Sequence, residues 1–254
     1  MTTAATIPFH STFGQQLWST TGATQRREEL VNSFEPNTSS YLSGPASLVI
    51  FINAFNMAYQ VQFGKYKPGT PEYYDLLTKL YAGKPLSSTV QDIVSVSSLT
   101  GEPTMKDLKK MAADTKLFDS VIWYAFDRQG MSLTAGKKAA LDALLASRQQ
   151  NFKLLENEDK FKTVIATNLK SPWRTTALIA NFDSCLLYGL QNGCGSHHSV
   201  LAGYNGSSQH VLVLDVKYGP AWVKVEALVR AMRTVSTESG LPRGMVEVDM
   251  VPGV

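Results

Sequence analysis

The strongest constraint on this chain is a set of short apolar runs in its second half. Residues Thr176 to Phe182, Ser199 to Tyr204, Val211 to Val216 and Met245 to Val248 each read as a buried or half-buried strand, bounded by turn-forming residues. Tyr204-Asn205-Gly206 marks a hairpin turn between two of them. Strands this close in sequence pair antiparallel, so a sheet is expected. Val225 to Val235 is amphipathic at helical spacing and is predicted to close over that sheet.

The first half has a different period. From Arg26 to about Ala113 the pattern is helical, with Leu48, Ile52, Phe55 and Tyr59 at three- and four-residue steps and Pro45 suited to a first helical turn. Further helices are predicted over Pro71 to Tyr81, over Ser87 to Val96 after Gly83-Lys84-Pro85, over Leu133 to Ala146 and over Asp159 to Leu169. The expected class is therefore α+β: one domain, 1–254, with a helical lobe to about residue 147 and a β-rich lobe from about 148. No repeat, low-complexity stretch or linker interrupts it. At 254 residues and 44% hydrophobic, the chain can bury a core without staples.

Several function classes drop out at this level. The net charge of +3 is dispersed with no run of five like charges, which gives no footprint for nucleic acid or an anionic membrane. The longest apolar stretch, Ala46 to Met57, is broken by Ser47, Asn53 and Asn56 and is too short to cross a bilayer. Met1 to Gly22 lacks the basic leader and apolar core of a signal peptide. Cys185 and Cys194 could pair, but two thiols in a chain of this length read as reduced, and a cytoplasmic location is expected.

Chemistry-bearing residues gather in two places. In Tyr41-Leu42-Ser43-Gly44-Pro45-Ala46-Ser47-Leu48, a small nucleophile-type residue and a glycine precede an apolar helix, whose N-terminus can stabilise an anion. On these residues alone Ser43 reads equally as a helix cap. In the second place, His197 opens one strand and Asp215 ends the next. An antiparallel pair would let that carboxylate hold the imidazole in one tautomer. His198 follows directly, but successive strand residues face opposite ways, so the two histidines make a poor chelating pair and no metal site is expected.

These segments resemble the phytochelatin synthases, papain-like cysteine acyltransferases. The resemblance rests on Ser43-Gly44-Pro45-Ala46-Ser47, His197-His198-Ser199, Leu214-Asp215-Val216, Pro220-Ala221-Trp222-Val223, Ala231-Met232 and Arg128-Gln129-Gly130-Met131-Ser132-Leu133. It runs roughly from Asn37 to Val248, and the length resembles the short bacterial members. It implies a papain-like fold with residue 43 as nucleophile, His197 as general base, Asp215 as its orienter and Asn37 in the place of an oxyanion-hole glutamine. Gly44, Ser196, His198, Ser236 and Arg243 become the candidate substrate contacts.

Three departures qualify what the resemblance implies. Ser43 stands where the family keeps a cysteine, and the surrounding residues favour a Cys-to-Ser substitution that traps substrate over a native serine. Ser236 stands where the family has an aspartate for the donor's γ-glutamyl ammonium. Asp183-Ser184-Cys185 follow a strand where the family has a basic residue, with about three extra residues before His197. The expectation is an acyltransferase with an altered donor pocket, taking a small peptide, amide or thioester donor, with a carrier protein allowed for, and passing the acyl group to an amine or water. Glutathione as donor, a peptidase that trims glutathione, and a natively serine-bearing binding protein are the alternatives. No cofactor is required, heavy metals would matter only for a true phytochelatin synthase, and a homodimer is allowed for. Cys194 is read as incidental rather than as a surrogate nucleophile or metal ligand, and Cys185 as buried.

Overall fold

The computed structural model describes residues 6–34, 36, 43–44, 46–48, 50–51, 54, 118–126, 152–170, 176–192, 195–236 and 243–250. In chain order the elements are β1 (Ile7–Pro8), α1 (Thr12–Thr20), a 3-10 turn (Ala23–Gln25), α2 (Glu28–Asn32), β2 (Phe118–Phe126) and β3 (Phe152–Leu155). They continue with α3 (Glu158–Leu169), β4 (Thr176–Asp183), α4 (Ser184–Tyr188), β5 (Ser196–Asn205), β6 (His210–Asp215), β7 (Gly219–Lys224), α5 (Val225–Met232) and β8 (Gly244–Met250). The class is α+β.

Eight strands form one sheet in the order β1-β7-β6-β5-β4-β8-β2-β3. Every neighbouring pair is antiparallel except β2 with β3. The four predicted strands are β4, β5, β6 and β8, and they sit together at its centre. Each carries an apolar run whose residues face both ways, because both faces are covered, which is why the sequence shows continuous runs instead of alternation.

One face carries α3, α4 and α5, packed through Phe161, Ile165, Leu187, Leu228 and Met232 onto Leu178, Phe182, Leu201 and Val213. Asn157 caps α3 by accepting from the Lys160 N–H, with Glu158 and Asp159 in the first turn where the helix dipole favours acids. Across the sheet, α1 seats Trp18 against Trp222, with ring centroids 6.4 Å apart, and the Trp222 indole N–H donates to the Gly14 carbonyl at 3.0 Å. Gly14 must stay small: a Cβ there would come within 2.2 Å of the Pro8 carbonyl oxygen.

Several elements differ from expectation. The lobe read as helical, to about residue 147, contributes β1 and β2, and the polar N-terminal segment forms α1. Pro220-Ala221-Trp222-Val223, not among the predicted strands, lies in strand β7 between β1 and β6. Proline is tolerated in it because it enters near the strand's start, where a ladder N–H is least needed. Helix α5 stops at Met232, short of Val235, and the segment after β4 turns into α4. The predicted helices at 71–81, 87–96 and 133–146 lie outside the described residues, as do Asn37, Cys194 and the 128–133 segment. Residues 43–44, 46–48, 50–51 and 54 are helical, which agrees with the predicted core helix there.

Candidate active site

Register brings His197 and Asp215 together. β5 and β6 pair with Val200 opposite Leu214. One step further along this ladder, Asp215 falls beside Ser199 and so shares a face with His197, its diagonal neighbour, within reach of a side-chain contact. His197 Nε2 lies 2.9 Å from Asp215 Oδ1. Both side chains are buried, and the imidazole is flanked by Phe182, at 5.7 Å between ring centroids, and by Tyr218, at 6.0 Å. A carboxylate from the neighbouring strand thus lies against the imidazole.

The carboxylate is closely held. Oδ1 also accepts the backbone N–H groups of Lys217 and Tyr218, each at 2.9 Å, and Oδ2 accepts the Tyr188 hydroxyl. Burial is the largest influence on Asp215 and pushes its pKa up. The hydrogen bond and charge of His197, with the Tyr188 and Tyr218 donors, outweigh it and hold the carboxyl below its ordinary value. Asp215 is therefore an anion at neutral pH. Tyr188 moves the other way: burial, then the charge of Asp215, raise its phenol well above the ordinary value, so it remains a donor.

Ser43 reaches the same strand from a distant part of the chain. Its fully buried hydroxyl accepts the backbone N–H of His198 at 3.1 Å, and its carbonyl accepts the Ser47 hydroxyl at 2.8 Å. β5 overhangs the end of its pairing with β6 at this point, which leaves the His198 N–H for a partner outside that ladder. The His198 side chain faces away from His197, toward Asn181, with Asn181 Nδ2 2.7 Å from His198 Nε2. The two histidines therefore serve different neighbours. Among the described residues no three His, Cys, Asp or Glu side chains cluster as a metal would need.

The remaining candidates form a group at the mouth of β5. Arg243 Nε donates to Ser196 Oγ at 3.1 Å, and Nη1 donates to Thr234 Oγ1 at 2.6 Å and to the Val235 carbonyl at 3.0 Å. Asp183 Oδ2 lies 3.6 Å from Arg243 Nη1. Ser236 is buried next to the stretch that holds the guanidinium, and Gly44 is buried in the Ser43 helix. Arg243 and Ser196 are brought together; Asn37 lies outside the described residues.

Sequence reasoning missed Tyr188, Asn181 and the pairing of Asp183 with Arg243, because none carries a spacing signal. It also misread the cysteines. Cys185 is half-buried and disulfide-bonded, and Cys194 is the other cysteine of the chain. The expectation of reduced thiols is corrected at Cys185, which lies in α4 at the start of a short excursion between β4 and β5 whose ends the backbone brings together. The Ser184 N–H donates to the Gly195 carbonyl at 3.1 Å and the Gly195 N–H donates to Ser184 Oγ at 3.2 Å. With it goes the cysteine argument for a cytoplasmic location.

The phytochelatin synthase family model matches residues 89–245, more than half of the chain. The chain belongs to the phytochelatin synthase family. A stretch of 59 residues is 41% identical to "Glutathione gamma-glutamylcysteinyltransferase 3" of Lotus japonicus, and covers 22% of this chain and 12% of that relative. The chain thus matches only a small part of the relative's length. Within this family member, the matched span takes in Tyr188, His197, Asp215 and Arg243, while Ser43 and Asn37 precede it. Among the described residues no helix is long and apolar enough to cross a membrane.

Proposed function

We propose that this chain is a papain-like acyltransferase in which residue 43 attacks an amide or thioester carbonyl and carries the acyl group to an amine or to water. One observation supports this above the others. The residue-43 hydroxyl accepts the N–H of residue 198, next in the chain to His197, whose imidazole Nε2 lies against a buried carboxylate. With Nε2 engaged there, Nδ1 is the nitrogen that takes the nucleophile's proton and then delivers it to the departing amine, so that the acyl–oxygen or acyl–sulfur bond forms as the donor's bond breaks. An acceptor amine reverses the sequence: it attacks the acyl carbonyl, loses its proton to His197, and the nucleophile leaves with a proton.

A serine is a poor nucleophile in such a pair, since a hydroxyl needs a stronger base than a thiol. We read Ser43 as a replacement for cysteine that slows turnover and retains substrate. The donor pocket departs from the γ-glutamyl type at Ser236, which supports a different amide or carrier-bound donor, with Ser196, Ser236 and Arg243 at its wall. A second reading keeps glutathione as donor, and one contact favours it: Asp183 brings a carboxylate to Arg243, where Ser236 offers none. Heavy-metal dependence belongs to that second reading alone.

Intact-protein mass spectrometry of Ser43→Cys tests both. Incubation with candidate amide and thioester donors should yield a covalent acyl adduct that disappears when an amine is added. Release of glycine from glutathione would select the second reading. No adduct with any donor, in a folded Ser43→Cys protein, would favour a binding protein that is natively serine.

A further inference from the structure

Asp215 has two carboxylate oxygens, and they are held very differently. Oδ1 receives His197 Nε2 and two backbone N–H groups. Oδ2 receives a single donor among the described residues, the Tyr188 hydroxyl. The carboxylate is fully buried, so no water replaces that donor. His197 and the backbone donors hold Oδ1, and the Tyr188 hydroxyl holds Oδ2, so that with Tyr188 in place both oxygens, and the rotation of the carboxylate plane, are set.

Tyr188 is itself set by several independent contacts. Its ring lies against Phe182, at 6.2 Å between centroids, and against Tyr218, at 4.7 Å, the same two rings that flank His197. Helix α4, which carries it, starts on Asp183, whose side chain accepts the Leu186 N–H at 3.2 Å. It stops at Gly189, where φ is +67°, a conformation that suits glycine. The Ser184–Gly195 bonds tie the helix to the residue before β5.

From these contacts we infer that Tyr188 is a positioning residue for acyl transfer, fixing the rotation of the Asp215 carboxylate and through it the plane and tautomer of His197. The inference rests on the acyltransferase reading for its catalytic consequence, but not for its geometry. Its action is indirect: the phenol donates to the Asp215 carboxylate and works through it.

Tyr188→Phe removes the hydroxyl and keeps the ring, so the packing around His197 survives. In the Ser43→Cys background, kcat should fall on the order of 10-fold, the scale seen when groups orienting a catalytic ligand are lost, with KM unchanged. The downfield proton resonance of the His197 imidazole N–H, followed by NMR in the Ser43 protein, should move, because two donors no longer share the carboxylate's charge. A second measurement needs no variant: incorporating fluorotyrosine makes the phenol a stronger donor, and the same resonance should move the opposite way. An imidazole resonance indifferent to both changes would overturn the inference, whatever kcat does. If Ser43→Cys transfers no acyl group from any donor while the resonance responds as stated, the acyltransferase reading fails and the positioning of His197 by Tyr188 stands.

Discussion

His197 and His210 sit at opposite ends of the β5–β6 ribbon, 3% and 5% exposed, in near-identical burial and contrary company. His197 meets an anion, Asp215, with Tyr188 and two backbone donors behind it. His210 pairs across the strands with Asn205 on one side and Lys224 on the other, and its Nδ1 lies 3.1 Å from Ser208 Oγ. Burial, then the lysine charge, push the His210 pKa below its ordinary value, and the bond at Ser208 offsets only part of this. One ribbon thus holds a histidine beside an anion and another beside a cation, the second with its pKa lowered. What separates them is the neighbouring charge rather than depth, since a buried imidazole can become a cation only where an anion compensates the lost hydration.

The largest expected effect is on turnover. In the Ser43→Cys protein, His197→Ala or Asp215→Asn should lower the rate of acyl-adduct formation by about 10³–10⁴-fold, the scale of losing an acid–base group or its orienter. His210→Gln should leave that rate close to the parent's. Stopped-flow or quenched-flow mass spectrometry of the adduct measures all three, and a His210→Gln protein as slow as His197→Ala would erase the distinction between the two ends.

Stability should divide the other way. Trp222 is fully buried and anchors α1 to the sheet, so Trp222→Ala should cost about 3–5 kcal/mol in a urea melt. Adduct formation per folded molecule should be unchanged, since the cavity opens toward Trp18 and Gly14 and away from Asp215. Near the His197 end, reducing the disulfide at Cys185 should cost about 2–3 kcal/mol. Because Cys185 lies one turn of α4 before Tyr188, reduction should also slow the adduct step. Reduction that leaves the rate unaltered would detach the β4–β5 excursion from the site.

How much of this was legible in the sequence depends on what each element has to signal with. The central strands β4, β5, β6 and β8 announce themselves, because strands buried on two faces have to be apolar throughout. His197 and Asp215 were found from their places at a strand opening and a strand end. β1, two residues long, and α4, five residues long, are too short for any periodicity. β7 opens with Gly219-Pro220, which reads as a turn; only the neighbouring β1 and β6 make it a strand. Tyr188 was invisible for a different reason: its role comes from a contact with a residue 27 positions away, and a tyrosine ending an apolar run looks like core. The disulfide was misread for want of knowing that the segment between β4 and β5 doubles back.

The smallest effect is also the one that separates the two histidine ends in a single titration. Unfolded, His210 takes up a proton near pH 6.5, whereas in the fold it does so only at lower pH. Between those values the unfolded chain binds more protons, so the His210 contribution is whole above about pH 6.5 and is lost as pH falls through the folded value. Asp215 is depressed too, but from a carboxylate's value: its contribution is whole above about pH 3.9 and is lost only as pH falls further. Melting temperature should therefore decline by a few degrees on moving from pH 8 to pH 5 and then fall again in stronger acid. His210→Gln should remove the first decline and keep the second, while Asp215→Asn should do the reverse at a lower overall stability. A first decline that persists in His210→Gln would mean that the lysine-flanked imidazole is not the group being protonated, and the contrast between the two ends of the ribbon would then rest on His197 alone.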